Sequence, residues 1–304
     1  MKDFPQKHSA LAYMARHGRS FRFASRFMPA ASRRRIAGVY AWCRYTDDLV
    51  DRSTAGIAET EARLDEWLAR SRSAYEGRAS GVPLLDEVFG DMREQGVPFL
   101  YAETLGEGVR MDLRHGEYRS LADLDVYTYR VASVVGLWLT NLFGVRDRWA
   151  LDRAARLGHA MQLTNILRDV GEDLAKQRLY LPLDRLGAHG LTREDVDRIR
   201  LSREPVPDGY AALMEELMMN AERAYADALE ALPSLPMSFR VSVAVAARVY
   251  AGIHDSIRAR SYDTLRQRAY TSAADKLLHS AAALGMVLRV RRAAGITPMP
   301  TIGR

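Results

Sequence analysis

The chain is poor in several features whose absence limits what it can be. It has one cysteine, Cys43, in 304 residues, which excludes an intramolecular disulfide and fits a reducing compartment. It has no run of about 20 apolar residues, so no membrane-spanning helix is expected. Alternating β-branched runs are scarce, and Leu, Ala, Arg and Glu dominate, a composition that points to an all-α protein. A Gly-rich dinucleotide turn, internal repeats, low-complexity tracts and linkers are also missing. The opening MKDFPQKHSALAYMARHG has no long apolar core ahead of a small-residue cleavage site. No signal peptide is therefore expected, and the cytoplasm is the expected compartment.

What is present suits a large core, since 48% of the residues are hydrophobic, and residues 1–304 read as a single domain. The net charge of +6 and pI near 9.5 suit polyanionic ligands. The densest basic runs, Arg33 to Arg35 and Arg289, Arg291 and Arg292, are not interleaved with aromatics, so nucleic acid is not an expected partner. Helical periodicity between Pro and Gly breaks predicts helices near 6–17, 20–27, 32–52, 58–75, 82–95, 98–115, 121–144, 147–174, 206–231, 237–262 and 272–293.

The chemistry concentrates in QLTNILRDVGED, where Asn165, Asp169 and Asp173 recur every four residues. On a helix such spacing makes one oblique row of oxygen groups, suited to Mg²⁺, which takes few protein ligands and completes its shell with water and phosphate. The interleaved Leu163, Ile166, Leu167, Val170 and Leu174 predict that the helix is largely buried. A second row lies in YAWCRYTDDLVD, with Asp47 and Asp51 one turn apart and Asp48 beside them. Arg44 accompanies the second row and Arg168 the first. Two carboxylate rows, each with an arginine, have the composition of a diphosphate clamp: metal on carboxylate, phosphate on metal, guanidinium on the remaining charge.

With RLYLP at Arg178 to Pro182, these motifs make the chain, from about Ser20 to about Lys276, resemble the squalene and phytoene synthases, which join two prenyl diphosphates head to head. The resemblance implies an isoprenoid-synthase helical fold with a central cavity between the two aspartate-rich helices. It implies metal ligation by Asp47, Asp48, Asp51, Asn165, Asp169 and Asp173, with Mg²⁺ the expected ion and Mn²⁺ its alternative. Ser20, Phe21, Tyr40, Arg44, Val131, Ala132, Gln162, Arg168, Tyr250 and Arg268 are expected to bind substrate. Tyr127, Arg178 and Tyr180 are expected to act on the reacting carbons, the last two from a mobile turn that excludes water. Arg130 and Ser133 depart from the family's usual YxYxVAGxVG pattern.

The expected reaction is phytoene synthesis from two geranylgeranyl diphosphates, without NADPH. Squalene or dehydrosqualene synthesis from farnesyl diphosphate is the alternative. Small residues at Ser25, Ala37, Gly38, Ala132, Ser133 and Gly136 serve either a long prenyl pocket or close helix packing. Asp112 and His115 read as a charged helix end and are not nominated as catalytic. The segment Ala283 to Arg292 could rest on an anionic membrane surface or simply pack as a terminal helix. A reading of another class is a non-catalytic helical interaction protein whose acidic rows are solvated faces.

Overall fold

The computed structural model describes residues 10–114 and 116–294; the side chains of Arg19 and of residues 290–294 lie outside that description, as does His115. The described residues are all-α. In chain order they form α1 (Ala10–His17), α2 (Arg19–Ser25), α3 (Ala30–Asp51), α4 (Ile57–Tyr75), α5 (Pro83–Glu94), α6 (Leu100–Arg114) and α7 (Leu121–Thr128). A π turn over Tyr129–Ser133 leads into α8 (Val134–Leu142), then α9 (Arg148–Ala175), α10 (Leu183–Ala188), α11 (Arg193–Leu201), α12 (Asp208–Glu230), α13 (Met237–Arg258) and α14 (Ala273–Ala294).

The long helices start where the chain supplies donors or breaks. Asp147 caps α9 by accepting from the Ala150 N–H, and Ser120 with Asp123 forms a capping box at α7. Pro29, Pro207 and Pro236 immediately precede α3, α12 and α13, where a missing N–H costs nothing. The helix predicted to run to residue 262 ends at Arg258, because Ser261 and Tyr262 take left-handed backbone angles that turn the chain.

α9 carries QLTNILRDVGED through the middle of the molecule, packed against α8, α12 and α13. Its Leu163, Ile166, Leu167, Val170 and Leu174 are all buried, as their spacing predicts. α3 is anchored from behind by aromatics. The Trp42 ring meets Trp138 at 5.3 Å and Phe89 at 5.5 Å between centroids. Two indoles fix α3 to α4 reciprocally: Trp42 Nε1 donates to Ser71 Oγ and Trp67 Nε1 donates to Thr46 Oγ1, both at 2.9 Å.

Two of the small residues serve packing. A Cβ on Gly38 would stand 2.8 Å from the Val88 side chain on α5, and one on Gly136 would stand 2.3 Å from the Ala154 carbonyl oxygen on α9. Both glycines let a neighbouring helix approach closely. α14 lies along α13, where Gly252 makes space for the His279 ring, and it leaves Leu277, Leu278, Leu284 and Leu288 exposed. None of the described helices is long and apolar enough to cross a membrane.

Candidate active site

α3 and α9 bring the two acidic rows to one region, and the chain beyond α9 ties them together. α9 ends in a Schellman-type turn: Gln177 takes φ 62°, and the Arg178 N–H donates to the Asp173 carbonyl at 3.0 Å. That reversal sends Arg178 back to α3, where its Nη1 donates to Asp51 Oδ1 at 2.6 Å and Lys176 Nζ donates to Asp51 Oδ2 at 2.9 Å. Burial opposes ionisation of Asp51, but these two cations outweigh it and hold its carboxyl below the usual range.

The RLYLP segment was expected to be a mobile turn and is instead pinned. The Leu179 N–H donates to the Gly116 carbonyl at 2.6 Å, Glu117 and Leu179 form a parallel β-bridge, and Leu183 and Asp184 bond back to Tyr118 and Arg119. Leu179, Tyr180 and Leu181 are buried. The hydrogen bonds of a short extended pair replace the freedom that the sequence suggested.

On α9, Asp169 lies between two arginines. Arg168 Nε donates to its Oδ1 at 2.7 Å, while Arg268, beyond α13, approaches with Nε at 2.9 Å and also reaches Glu172. Gly171 makes the second contact possible. Its N–H donates to the Thr264 carbonyl at 3.1 Å, and a Cβ there would fall 2.1 Å from the Leu265 carbonyl oxygen. The segment bearing Arg268 therefore rests directly on the backbone of the acidic helix.

Among the described residues, Asp47 and Asp173 have neither a hydrogen-bond nor an ion-pair partner. Burial, reinforced for Asp173 by Asp169, pushes their carboxyls up, to about 8 for Asp47 and about 7 for Asp173. Asn165 donates to Gln162 Oε1 at 3.3 Å, while its own Oδ1 is buried without a partner. Asp48 has different surroundings from its neighbours. Tyr13 Oη donates to it at 2.9 Å, and Arg44 and Arg52 approach it at 2.7 Å and 3.3 Å, so its carboxylate is already occupied on α3. Sequence spacing alone could not separate Asp48 from Asp47, because Tyr13 belongs to a distant stretch.

The aromatic residues gather beside these rows. Phe21 contacts Tyr40 at 5.6 Å and Tyr250 at 5.5 Å between ring centroids, joining α2, α3 and α13 in one wall, with Ser20 half-buried next to it. Val131 and Ala132 are half-buried in the π turn, where a Cβ on Gly158 of α9 would stand 2.3 Å from the Ala132 carbonyl oxygen.

Tyr127 and Tyr180 stack at 5.1 Å, with Tyr118 against both. Their hydroxyls meet on Asp112: Tyr127 donates to Oδ2 at 3.0 Å and Tyr180 to Oδ1 at 2.7 Å. Burial pushes the Asp112 carboxyl up to about 6, against the opposing pull of Arg178 and the two phenols. Asp112, read from sequence as a helix-end charge, is the residue that spacing missed. The only signal available was an acid set between the apolar Met111 and Leu113 near the end of α6.

The donor set fits a hard divalent cation: carboxylates and an amide oxygen, with one of those oxygens buried and unpartnered. Among the described residues no three acidic, histidine or cysteine side chains converge closely enough to hold an ion alone.

The squalene/phytoene synthase family model matches residues 14–275. A phytoene synthase of Thermus thermophilus is 38% identical over 254 residues, 83% of each chain. One of Pseudescherichia vulneris is 34% identical over 99% of this chain and 97% of its own, and a 15-cis-phytoene synthase of Pantoea ananas is 35% identical over 80% of each. Among solved structures, a dehydrosqualene synthase superposes with a TM-score of 0.83 at 26% identity, covering 93% of this chain and 96% of that one. The helical bundle is the isoprenoid-synthase fold, and the chain belongs to the squalene/phytoene synthase family of prenyltransferases.

Proposed function

We propose that this protein, read as one catalytic domain, is a phytoene synthase that condenses two geranylgeranyl diphosphates head to head. The observation that carries the reading is the bond between Arg178 and Asp51, which ties the end of one acidic helix to the other and gathers both rows and their arginines around a single site. The phytoene synthase relatives at 34–38% identity support the C20 substrate.

In the proposed reaction the C–O bond of one substrate breaks and diphosphate leaves an allylic cation. The double bond of the second substrate attacks that cation, and loss of a proton closes the cyclopropane of prephytoene diphosphate. Departure of the second diphosphate, rearrangement and a second proton loss give phytoene. No hydride is consumed, so NADPH has no part in it.

Asp47, Asp51, Asn165, Asp169 and Asp173 would hold a divalent ion, Mg²⁺ in the first instance, which supplies neutralising charge to the departing diphosphates. Arg168, Arg178 and Arg268 now rest on carboxylates of this set and are in reach of phosphate oxygens brought there. Arg44 serves the α3 side. Gln162 orients Asn165. Phe21, Tyr40, Tyr250, Val131 and Ala132 line the chains with surfaces that do not quench a cation, and buried Tyr180 and Leu181 keep water out. The exposed leucines of α14 support a peripheral contact through which an insoluble hydrocarbon reaches a bilayer.

The test incubates the purified protein and Mg²⁺ with geranylgeranyl or farnesyl diphosphate, with and without NADPH, and identifies the hydrocarbons by mass. A C40 product from the C20 substrate without NADPH is expected. Exclusive C30 product would move the protein to the squalene or dehydrosqualene branch, and no hydrocarbon or released diphosphate would end the synthase reading.

A further inference from the structure

Three separate elements converge on the carboxylate of Asp112. It projects from α6, while Tyr127 comes from the end of α7 and Tyr180 from the pinned segment after α9. A phenol has one proton, and here the nearest acceptor of each is the same carboxylate, one on each oxygen. The Tyr127 hydroxyl also reaches the Tyr180 oxygen as a donor at 3.4 Å, a longer contact for the same proton that the 3.0 Å bond to Asp112 holds. Whatever else approaches these phenols meets oxygen lone pairs and ring faces, because neither hydroxyl has a further proton to offer.

That polarity matters for a reaction that proceeds through carbocations. A phenol whose proton faced the substrate would be matched to a phosphate oxygen and would repel positive charge. A phenol whose proton is held by a carboxylate presents the negative end of its dipole instead. Arg178 completes the arrangement, because it donates to Asp51 while its charge also acts on Asp112. The arginine side of the cluster is suited to diphosphate and the phenol side to cation.

Resting on the synthase reading above, we propose that Asp112 is a positioning residue: it turns the Tyr127 and Tyr180 hydroxyl protons away from the reacting chains, making the two tyrosines one surface that stabilises positive charge.

The experiment compares the wild type with Asp112→Asn, the Tyr127→Phe/Tyr180→Phe pair and the triple variant. It measures kcat, KM for geranylgeranyl diphosphate, the Mg²⁺ concentration for half activation, and the partition among C40 hydrocarbon, cyclopropyl diphosphate intermediate and water-trapped alcohols. Asp112→Asn is expected to lower kcat about tenfold to a hundredfold, as loss of an oriented dipole does, with KM and half activation within about twofold of wild type. The alcohol and intermediate fractions rise. In the background lacking both phenols, Asp112→Asn adds less than about threefold, because its effect runs through them.

A wild-type product pattern in Asp112→Asn, a shifted Mg²⁺ requirement, or full additivity in the triple variant would each overturn the proposal. Should Asp112→Asn not fold, the phenylalanine pair decides, since it must by itself raise the alcohol and intermediate fractions. Wild-type protein that makes no hydrocarbon would instead sink the synthase reading, a result distinct from all of these.

Discussion

Arg178 and Asp51 stand 2.6 Å apart across 127 residues of chain, and through that bond the end of α9 closes on the end of α3. Both side chains are largely covered, at 14% and 19% exposure, so the pair is only weakly screened. Arg178→Ala should lower stability by about 1–3 kcal/mol by leaving the Asp51 charge with Lys176 alone. Turnover should fall further than that loss explains. Denaturant unfolding beside steady-state kinetics measures both, and unchanged values in each would show the contact to be incidental.

Asp47→Ala and Asp169→Ala separate catalysis from mere solvation of a polar face. Each should cut turnover by about a hundredfold or more while leaving the far-ultraviolet circular dichroism intact. Near-normal turnover in both variants would favour a helical protein whose acidic rows are only wetted surface, where such changes cost a few tenths of a kcal/mol.

Gly171→Ala tests the seating of the Arg268 segment. The new methyl would meet the Leu265 carbonyl oxygen, so the segment must lift from α9 and carry Arg268 away from Asp169. The expected cost is about 1–3 kcal/mol of stability, together with a higher KM for the prenyl diphosphate. An unaltered KM with unaltered thermal unfolding would show that the segment accommodates the methyl.

His254 gives a pH dependence. It is fully buried between α13, α9 and α12, with Nε2 at 3.0 Å from Thr164 Oγ1 and Nδ1 at 3.1 Å from Glu222. The Tyr225 ring lies edge-on to it, and Arg258 and Asp255 lie nearby on its own helix. Burial lowers its pKa below the ordinary value despite Glu222. The unfolded chain therefore binds a proton more readily, and stability is lost as pH falls below about 6.5. The melting temperature of the wild type should drop more steeply between about pH 7 and pH 5 than that of His254→Gln. Parallel slopes would remove His254 as the cause.

Features set by local spacing could be read from the sequence. α9 was expected at 147–174 and lies at Arg148–Ala175, and α3 was expected at 32–52 and lies at Ala30–Asp51. Both acidic rows follow from residues one turn apart. What escaped depends on partners far away in sequence. Asp112 draws its meaning from Tyr127 and Tyr180, Asp48 from Tyr13, and Gly171 from a carbonyl beyond α13. The firm attachment of RLYLP was hidden for the same reason, since its hydrogen bonds go to residues 116–119.

The π turn at Tyr129–Ser133 has a consequence for how this chain tolerates change. In a regular helix Tyr127 and Trp138 would point within about 20° of each other, at about 100° per residue. The extra residue in the wide turn separates them by about 80° instead, so one rod aims a phenol at Asp112 and an indole at the Trp42 and Phe89 rings. Deleting a single residue there would close the wide turn into a regular helix with ten steps between the two side chains, still about 80° apart, so the aim of the phenol and the fit of the indole would survive a loss that elsewhere in a helix would turn them by about 100°.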